Sequence, residues 1–290
     1  MQETPDWHPA RYLASVYSAP SERALLEALF GIESEIVASL AGGLDHHVAH
    51  VRLQWWREEC ERATQGRPAH PLTRAAVSAF ASQSTTPLAG LSGFVDTTVW
   101  DLASATFETR RELAAYCERW AAAMIVPVVA HAIPEVTEHG AWLSIGSALH
   151  EIEMLANLAS EAHSGRLRMP LDELERAGVE PNSLATVPWS AQLADLLKQR
   201  HEALRAVLAA EVGALPRTQQ DSVRGILVWI ALAWRRSVRA QRALPNSLQP
   251  ARFDALADGW VAWRAARRAM AGKFSFSLSL KGASGAEEFK

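Results

Sequence analysis

Glu153, Asn157 and Glu161 stand four residues apart, the interval at which helical side chains line up on one face. Oxygen-bearing groups in such a row, with His150 one turn ahead of them, could give a single hard divalent cation a few of its ligands. An ordinary solvated helix face has the same pattern, so the stripe alone leaves both readings open. The segment Asp45-His46-His47-Val48-Ala49-His50 sets His46 and His50 at the i, i+4 spacing of paired zinc ligands. No H-E-x-x-H arrangement follows and no third ligand is evident, which makes a helix start capped by Asp45 the better account. His131 and His150 sit in largely apolar runs and read as core histidines.

Cationic rows are the other chemistry-bearing pattern. Arg235, Arg239 and Arg242 share one helical face, and Arg264, Arg267 and Arg268 follow near the end of the chain. Rows of this kind are usually solvated; the alternative is an anionic lipid surface or an acidic protein partner. In Trp55-Trp56-Arg57-Glu58-Glu59, adjacent tryptophans must point in different directions on a helix, so at most one faces an interior.

Helices must position all of these groups, because glycine and proline fall between long runs of 3.6-residue periodicity and alternating β-branched runs are almost absent. The periodicity predicts helices over about 24–40, 45–64, 71–83, 88–105, 109–132 with a bend at Pro127, 136–163, 171–177, 189–213, 217–242 and 250–271. The run from Gly225 to Trp234 is apolar all round and predicts a central helix wrapped by others. No internal repeat or linker divides the chain, which gives one helical domain over 1–272 and a mobile tail over 273–290.

The 290 residues carry 29 Lys+Arg against 32 Asp+Glu, a net charge of −3, so no global basic field would hold nucleic acid. Two cysteines, Cys60 and Cys117, are too few for a disulfide framework, and no positive segment followed by an apolar run opens the chain. A reducing cytoplasm is the expected compartment, with peripheral contact at the inner membrane as an addition. The apolar stretch 121–133 contains Pro127 and His131 and falls short of the ~20 residues a bilayer requires.

Three segments in register resemble the squalene/phytoene synthase family. The first is Arg11-Tyr12-Leu13-Ala14 with Ala19-Pro20-Ser21-Glu22-Arg23 and Ala28-Leu29-Phe30, similar to the helix entering the family's first aspartate motif. The second runs from Val51-Arg52-Leu53-Gln54-Trp55-Trp56-Arg57-Glu58-Glu59 to His70-Pro71-Leu72, close to R-L-x-W-W-R-E-E followed by H-P. The third begins at Gly146-Ser147-Ala148-Leu149 and ends in Gly165-Arg166-Leu167-Arg168-Met169-Pro170-Leu171-Asp172-Glu173-Leu174, resembling G-R-x-Y-L-P-x-D-E-L. The resemblance implies an all-α orthogonal bundle of the isoprenoid synthase type with a central apolar cavity. It also implies enzymes that join two isoprenoid diphosphates head to head, with Mg²⁺ bridging the diphosphate to two Asp-rich motifs. On this chain Trp55 and Trp56 would stand at the cavity mouth, with Arg52, Arg166 and His150 as cavity or diphosphate candidates.

The aspartates themselves are missing. Val37-Ala38-Ser39-Leu40-Ala41 stands where D-D-x-x-D is expected, and Ser34 replaces an arginine usual in the family. Glu33 and Glu35 precede the motif by enough to be rotated far around the helix, which makes them poor substitutes. The second motif is reduced to Glu153, Asn157 and Glu161, candidates for one weak metal site. The pattern resembles family members related to a mitochondrial complex I assembly factor, which implies an assembly or lipid-handling role. The expectation is therefore a protein that binds an isoprenoid or other lipid tail, with no cofactor, no assigned catalytic residue and an added protein partner in view. The alternatives are an active prenyl-diphosphate-processing transferase that uses Mg²⁺ through altered ligands, and a helical interaction scaffold.

Overall fold

Four helices begin where a short polar side chain turns back onto free amides. Asp45 accepts from the N–H groups of His47 and Val48, Thr109 from Glu112, Ser190 from Leu193 and Asp254 from Ala257. Pro20 and Pro71 start two others, at positions where a missing N–H costs nothing. The computed structural model describes residues 9–40, 45–81, 87–247 and 254–276. In chain order the helices are α1 (Pro9–Tyr17), α2 (Pro20–Val37), α3 (His46–Thr64), α4 (Pro71–Ser78), α5 (Gly90–Leu102), α6 (Arg110–Met124) and α7 (Val126–Ala132). They continue as α8 (Gly140–Ala156), α9 (Leu158–His163), α10 (Leu171–Arg176), α11 (Ala191–Ala214), α12 (Arg224–Ala243) and α13 (Ala255–Met270), and no strand occurs among the described residues.

Two of the long helices expected from periodicity are divided. The run 109–132 breaks at Ile125, which adopts φ −102° and ψ −48° between α6 and α7. Pro127 explains the break, because it lacks an N–H and its ring crowds the carbonyl one turn earlier. The run 136–163 starts only at Gly140 and divides at Asn157, with φ −109° and ψ 9°. That division ends the straight i, i+4, i+8 row: Glu153 belongs to α8 and Glu161 to α9.

The wholly apolar stretch of α12 lies buried at the centre, with α1, α8, α11 and α13 packed around it. Trp229 and Trp234 are both part of one cluster of buried side chains that reaches from Ala14 to Phe274. Close approach between helices depends on two glycines. A Cβ on Gly146 of α8 would meet the Cβ of Ala121 on α6 at 2.5 Å. A Cβ on Gly225 of α12 would meet the carbonyl oxygen of Ala14 on α1 at 2.7 Å and would strike the Ser18 hydroxyl. Gly225→Ala is therefore expected to push α1 off α12 and cost about 1–3 kcal/mol of stability, measured by urea unfolding; an unchanged midpoint would refute the close packing.

The described part of the expected tail, residues 273–276, packs on the bundle. Phe274 is buried, exchanging hydrogen bonds of 2.8 and 3.0 Å with the side chain of Gln220, and Phe276 stacks on Trp234 with ring centres 4.2 Å apart. Residues 277–290 lie outside the described residues. One stretch among those described, Arg110–Ala132, is long and apolar enough to cross a membrane by length and composition. It is the α6–α7 pair, and 61% of its apolar window is buried inside the fold.

Two of the sequence segments singled out above do structural work. Glu59 is fully buried and accepts from the backbone N–H groups of Ala69 and His70, both at 2.8 Å, from Arg62, and from the Thr73 hydroxyl. Burial opposes its charge, but these donors prevail and lower its pKa. The final glutamate of the tryptophan segment thus anchors the turn that leads into Pro71 and α4. In the third segment, Gly165 turns the chain at φ +84°, a conformation side chains resist, and Arg168 then reaches back into the bundle.

Candidate functional site

Arg11 points from α1 into the space between α2 and α8. Its guanidinium forms a bidentate pair with Glu33 of α2, through Nη1 to Oε2 and Nη2 to Oε1 at 3.1 Å, and Nη2 also reaches Glu153 Oε2 of α8 at 3.2 Å. Two indole N–H groups add to the pairing: Trp120 donates to Glu33 Oε1, which it shares with Arg11, and Trp229 to Glu153 Oε1, the oxygen Arg11 leaves open, each at 2.8 Å. The guanidinium carbon lies 5.4 Å from the ring centres of both Phe30 and Trp229. Burial disfavours the charge, but Glu33 and Glu153 more than offset it, and the Arg11 pKa is raised. The result is one cation bridging two carboxylates on facing helices, enclosed by aromatic rings.

His150 adjoins this cluster. Its ring stacks on Trp120, centres 4.4 Å apart and 8° from parallel, and faces Tyr116 on the other side at 5.8 Å. Burial pushes the imidazole down to about 3, helped by Arg11 and Arg168 against the pull of Glu153. Contrary to the expectation of a satisfied core histidine, Nδ1 is buried and makes no hydrogen bond within the chain. His131 Nδ1 is likewise unsatisfied. Nδ1 of the neutral His150 ring thus has hydrogen-bonding capacity to spare.

The three candidate metal ligands are separated by their partners. Glu153 is engaged by Arg11 and Trp229, Asn157 accepts from Arg236 at 3.1 Å, and Glu161 pairs with Arg166 at 3.6 Å and with Arg168 at 3.1 Å. Arg168 also pairs with Asp101 at 2.5 Å, while the Tyr116 hydroxyl donates to the other Asp101 oxygen at 2.8 Å. Burial outweighs the Arg168 charge and lifts the Tyr116 phenol well above its ordinary value, keeping it a donor. On the opposite side of α8, Glu151 takes a bidentate pair from Arg110 at 2.6 and 2.5 Å. Among the described residues, no three His, Cys, Asp or Glu side chains come together as a metal-holding group.

The remaining sequence candidates lie apart from this cluster. Arg52 is half-exposed and lies 3.7 Å from Glu35. Trp56 is buried and Trp55 exposed, their rings meeting edge to face at 5.2 Å, so the two tryptophans do diverge. Both pack on His70. His46 and His50 are exposed with their Nε2 atoms 3.1 Å apart, on a helix start that Asp45 caps. Both cysteines are buried free thiols, and burial raises Cys60 to about 12 and Cys117 well above its ordinary value, which leaves neither nucleophilic at neutral pH.

Sequence reasoning passed over Arg11 and Trp120 as site residues and judged Glu33 turned away. The signal was present for Glu33: it falls on the same stripe as Leu26, Leu29, Phe30 and Ile36, all buried, and a carboxylate on an apolar stripe requires a buried partner.

Comparison with known proteins agrees with this architecture. The family model described as squalene/phytoene synthase matches residues 9–256. A chloroplastic phytoene synthase of Narcissus pseudonarcissus is 24% identical over 235 residues, 78% of this chain and 55% of that protein. Phytoene synthase 3 of Zea mays is 26% identical over 176 residues, 58% of this chain and 41% of that one. The chain thus spans about half the length of these curated relatives. The crystal structure of a dehydrosqualene synthase in complex with ligand superposes with a TM-score of 0.71 at 16% identity, covering 91% of this chain and 92% of the other. A squalene synthase from Alicyclobacillus acidocaldarius gives 0.64 at 15% identity, over 79% and 87%. With the family model spanning most of the chain and the helices in the same arrangement, this protein belongs to the squalene/phytoene synthase family.

Proposed function

We propose that this chain is a family member that holds a prenyl or similar lipid tail without carrying out head-to-head synthase chemistry. The observation that carries the reading is the Arg11 guanidinium, which bridges Glu33 and Glu153 between α2 and α8. The family's reaction needs magnesium, which takes oxygen ligands in near-octahedral geometry and strongly favours carboxylates. The donor set here does not fit such a cluster. Val37 and Ala38 replace the first acids. Glu33 and Glu153 are both engaged by Arg11, and Glu161 by Arg166 and Arg168. An ion entering this space would have to displace a buried arginine from two carboxylates at once.

A lipid tail makes no such demand. About 15 carbons buried at roughly 0.8 kcal/mol per CH₂ supply on the order of 10 kcal/mol before ordering costs. The neutral His150 ring, with Nδ1 unpartnered, suits an uncharged polar head better than a second charge. The relatives named phytoene synthase support a polyisoprenoid as the ligand class.

Isothermal titration of the purified protein with farnesol and with a non-hydrolysable farnesyl diphosphate analogue, each with and without millimolar Mg²⁺, tests the reading. Expected is binding of both, with affinities changed less than about threefold by the metal. Binding of the diphosphate that requires Mg²⁺, accompanied by release of diphosphate from farnesyl diphosphate itself, would establish the transferase reading instead. No binding of either compound would leave a helical scaffold.

A further inference from the structure

Helix α13 wears its amphipathic pattern inside out. Ala262, Ala265, Ala266 and Ala269 are buried and lie on the side that meets α1 and α12. Leu256, Trp260, Trp263 and Met270 point the other way, and they are 88, 60, 42 and 60% exposed. Small residues let the helix lie close to its neighbours, which accounts for the inner face. No packing among the described residues accounts for the outer one, where four large apolar side chains share one exposed stripe. Trp260 and Trp263 stack on each other with ring centres 4.8 Å apart, forming one aromatic patch within the stripe.

Charge identifies what fits this face. Arg267 lies within the stripe, its guanidinium 5.5 Å from the Trp263 ring, and Arg264 and Arg268 flank it on one side. The single acid of the helix, Asp258, turns inward to Arg235 at 2.8 Å. Tryptophan favours the level of lipid headgroups, arginine pairs with their phosphates, and apolar side chains between them enter the acyl boundary. On the neighbouring α1, Tyr12 and Val16 are also exposed, one turn apart. We propose that the outer face of α13 docks the protein on the surface of an anionic bilayer, with the helix lying in the plane of the headgroups.

This inference is independent of whether the interior holds a prenyl tail, and it is tested without any prenyl ligand. The full chain is sedimented with vesicles of phosphatidylcholine alone and with vesicles carrying about 30% phosphatidylglycerol, in about 0.1 M salt. Expected is binding at least tenfold tighter to the anionic vesicles. The Trp260→Ser/Trp263→Ser variant should lose at least tenfold on these vesicles. Arg264→Gln/Arg267→Gln/Arg268→Gln should lose the preference for anionic lipid, and the thermal midpoint of the tryptophan variant should be unchanged because Trp260 and Trp263 lie on the outer face. Equal binding to both vesicle types, or full binding by the tryptophan variant, would overturn the proposal. So would a wild-type dimer in sedimentation velocity that the tryptophan variant abolishes while vesicles are ignored, which would assign the face to a second copy. Vesicle binding that emerges only after truncation at residue 276 would also overturn it, by assigning the face to the chain's own C-terminal segment.

Discussion

Arg11→Ala is expected to lower the unfolding free energy by about 3–5 kcal/mol, because it strands two buried carboxylates rather than removing one contact. Side chains of Arg11, Glu33 and Glu153 are only 18, 8 and 16% exposed, so water cannot take over the pairing. The indole donors of Trp120 and Trp229 would still satisfy one oxygen on each acid, which places the loss inside that range rather than beyond it. Arg52→Ala is the matched control: its pair with Glu35 is exposed on both sides, and its loss should be below about 1 kcal/mol. Urea unfolding of the two variants beside wild type distinguishes a buried bridge from a surface ion pair. Equal, small losses would show that the guanidinium is not holding the two helices.

A second comparison separates the bridge from its charge. Arg11→Met combined with Glu33→Gln and Glu153→Gln removes cation and anions together. Its expected loss is smaller than that of Arg11→Ala, since the penalty of an unpaired buried charge disappears. Were the triple variant the less stable of the two, the cluster would owe its strength to net attraction rather than to mutual neutralisation.

The helices and their order were legible in the sequence because each depends on signals within a few residues: Asp45 and Thr109 as caps, Pro71 as a start, the unbroken apolar surface of 225–234. Position 157 was less legible. The i, i+4, i+8 stripe of Glu153, Asn157 and Glu161 presupposes one straight helix, whereas the chain turns from α8 into α9 at Asn157. The site was the least legible part for a different reason. Arg11 and Glu153 are 142 residues apart, and no local pattern states that two such groups will meet. What the sequence did carry was the one-sided half of the pairing: Glu33 on an apolar stripe, with a partner required but unnamed. The α13 face shows the reverse case. Its arginine row was visible, but the exposure of Trp260 and Trp263 follows only once alanines 262, 265, 266 and 269 are known to take the inner side.

Lowering the pH from 7.5 to 5 is expected to cost the protein about 4 kcal/mol through two histidines alone. Burial holds His150 at about 3 and, with Arg205 beside it, His201 at about 4, against 6.5 for an exposed imidazole. Because the folded values are the lower ones, the unfolded chain takes up protons first. Stability is full above about pH 6.5 and declines as the pH falls toward the folded values, by roughly 2 kcal/mol per ring at pH 5. The Glu59 pocket does not obscure this window, since its lowered pKa contributes stability that is lost only below the ordinary carboxylate range. His201 is buried against the Ser237 hydroxyl at 3.0 Å and Arg205 donates to the same oxygen at 2.9 Å, so a protonated ring would sit beside a fixed guanidinium. His201→Gln should therefore be less stable than wild type at pH 7.5, yet lose about 2 kcal/mol less on acidification, measured as unfolding free energies from urea titrations at the two pH values. A variant that loses as much as wild type would mean that His201 is protonated in the fold at little cost, and that the acid sensitivity of the bundle arises elsewhere.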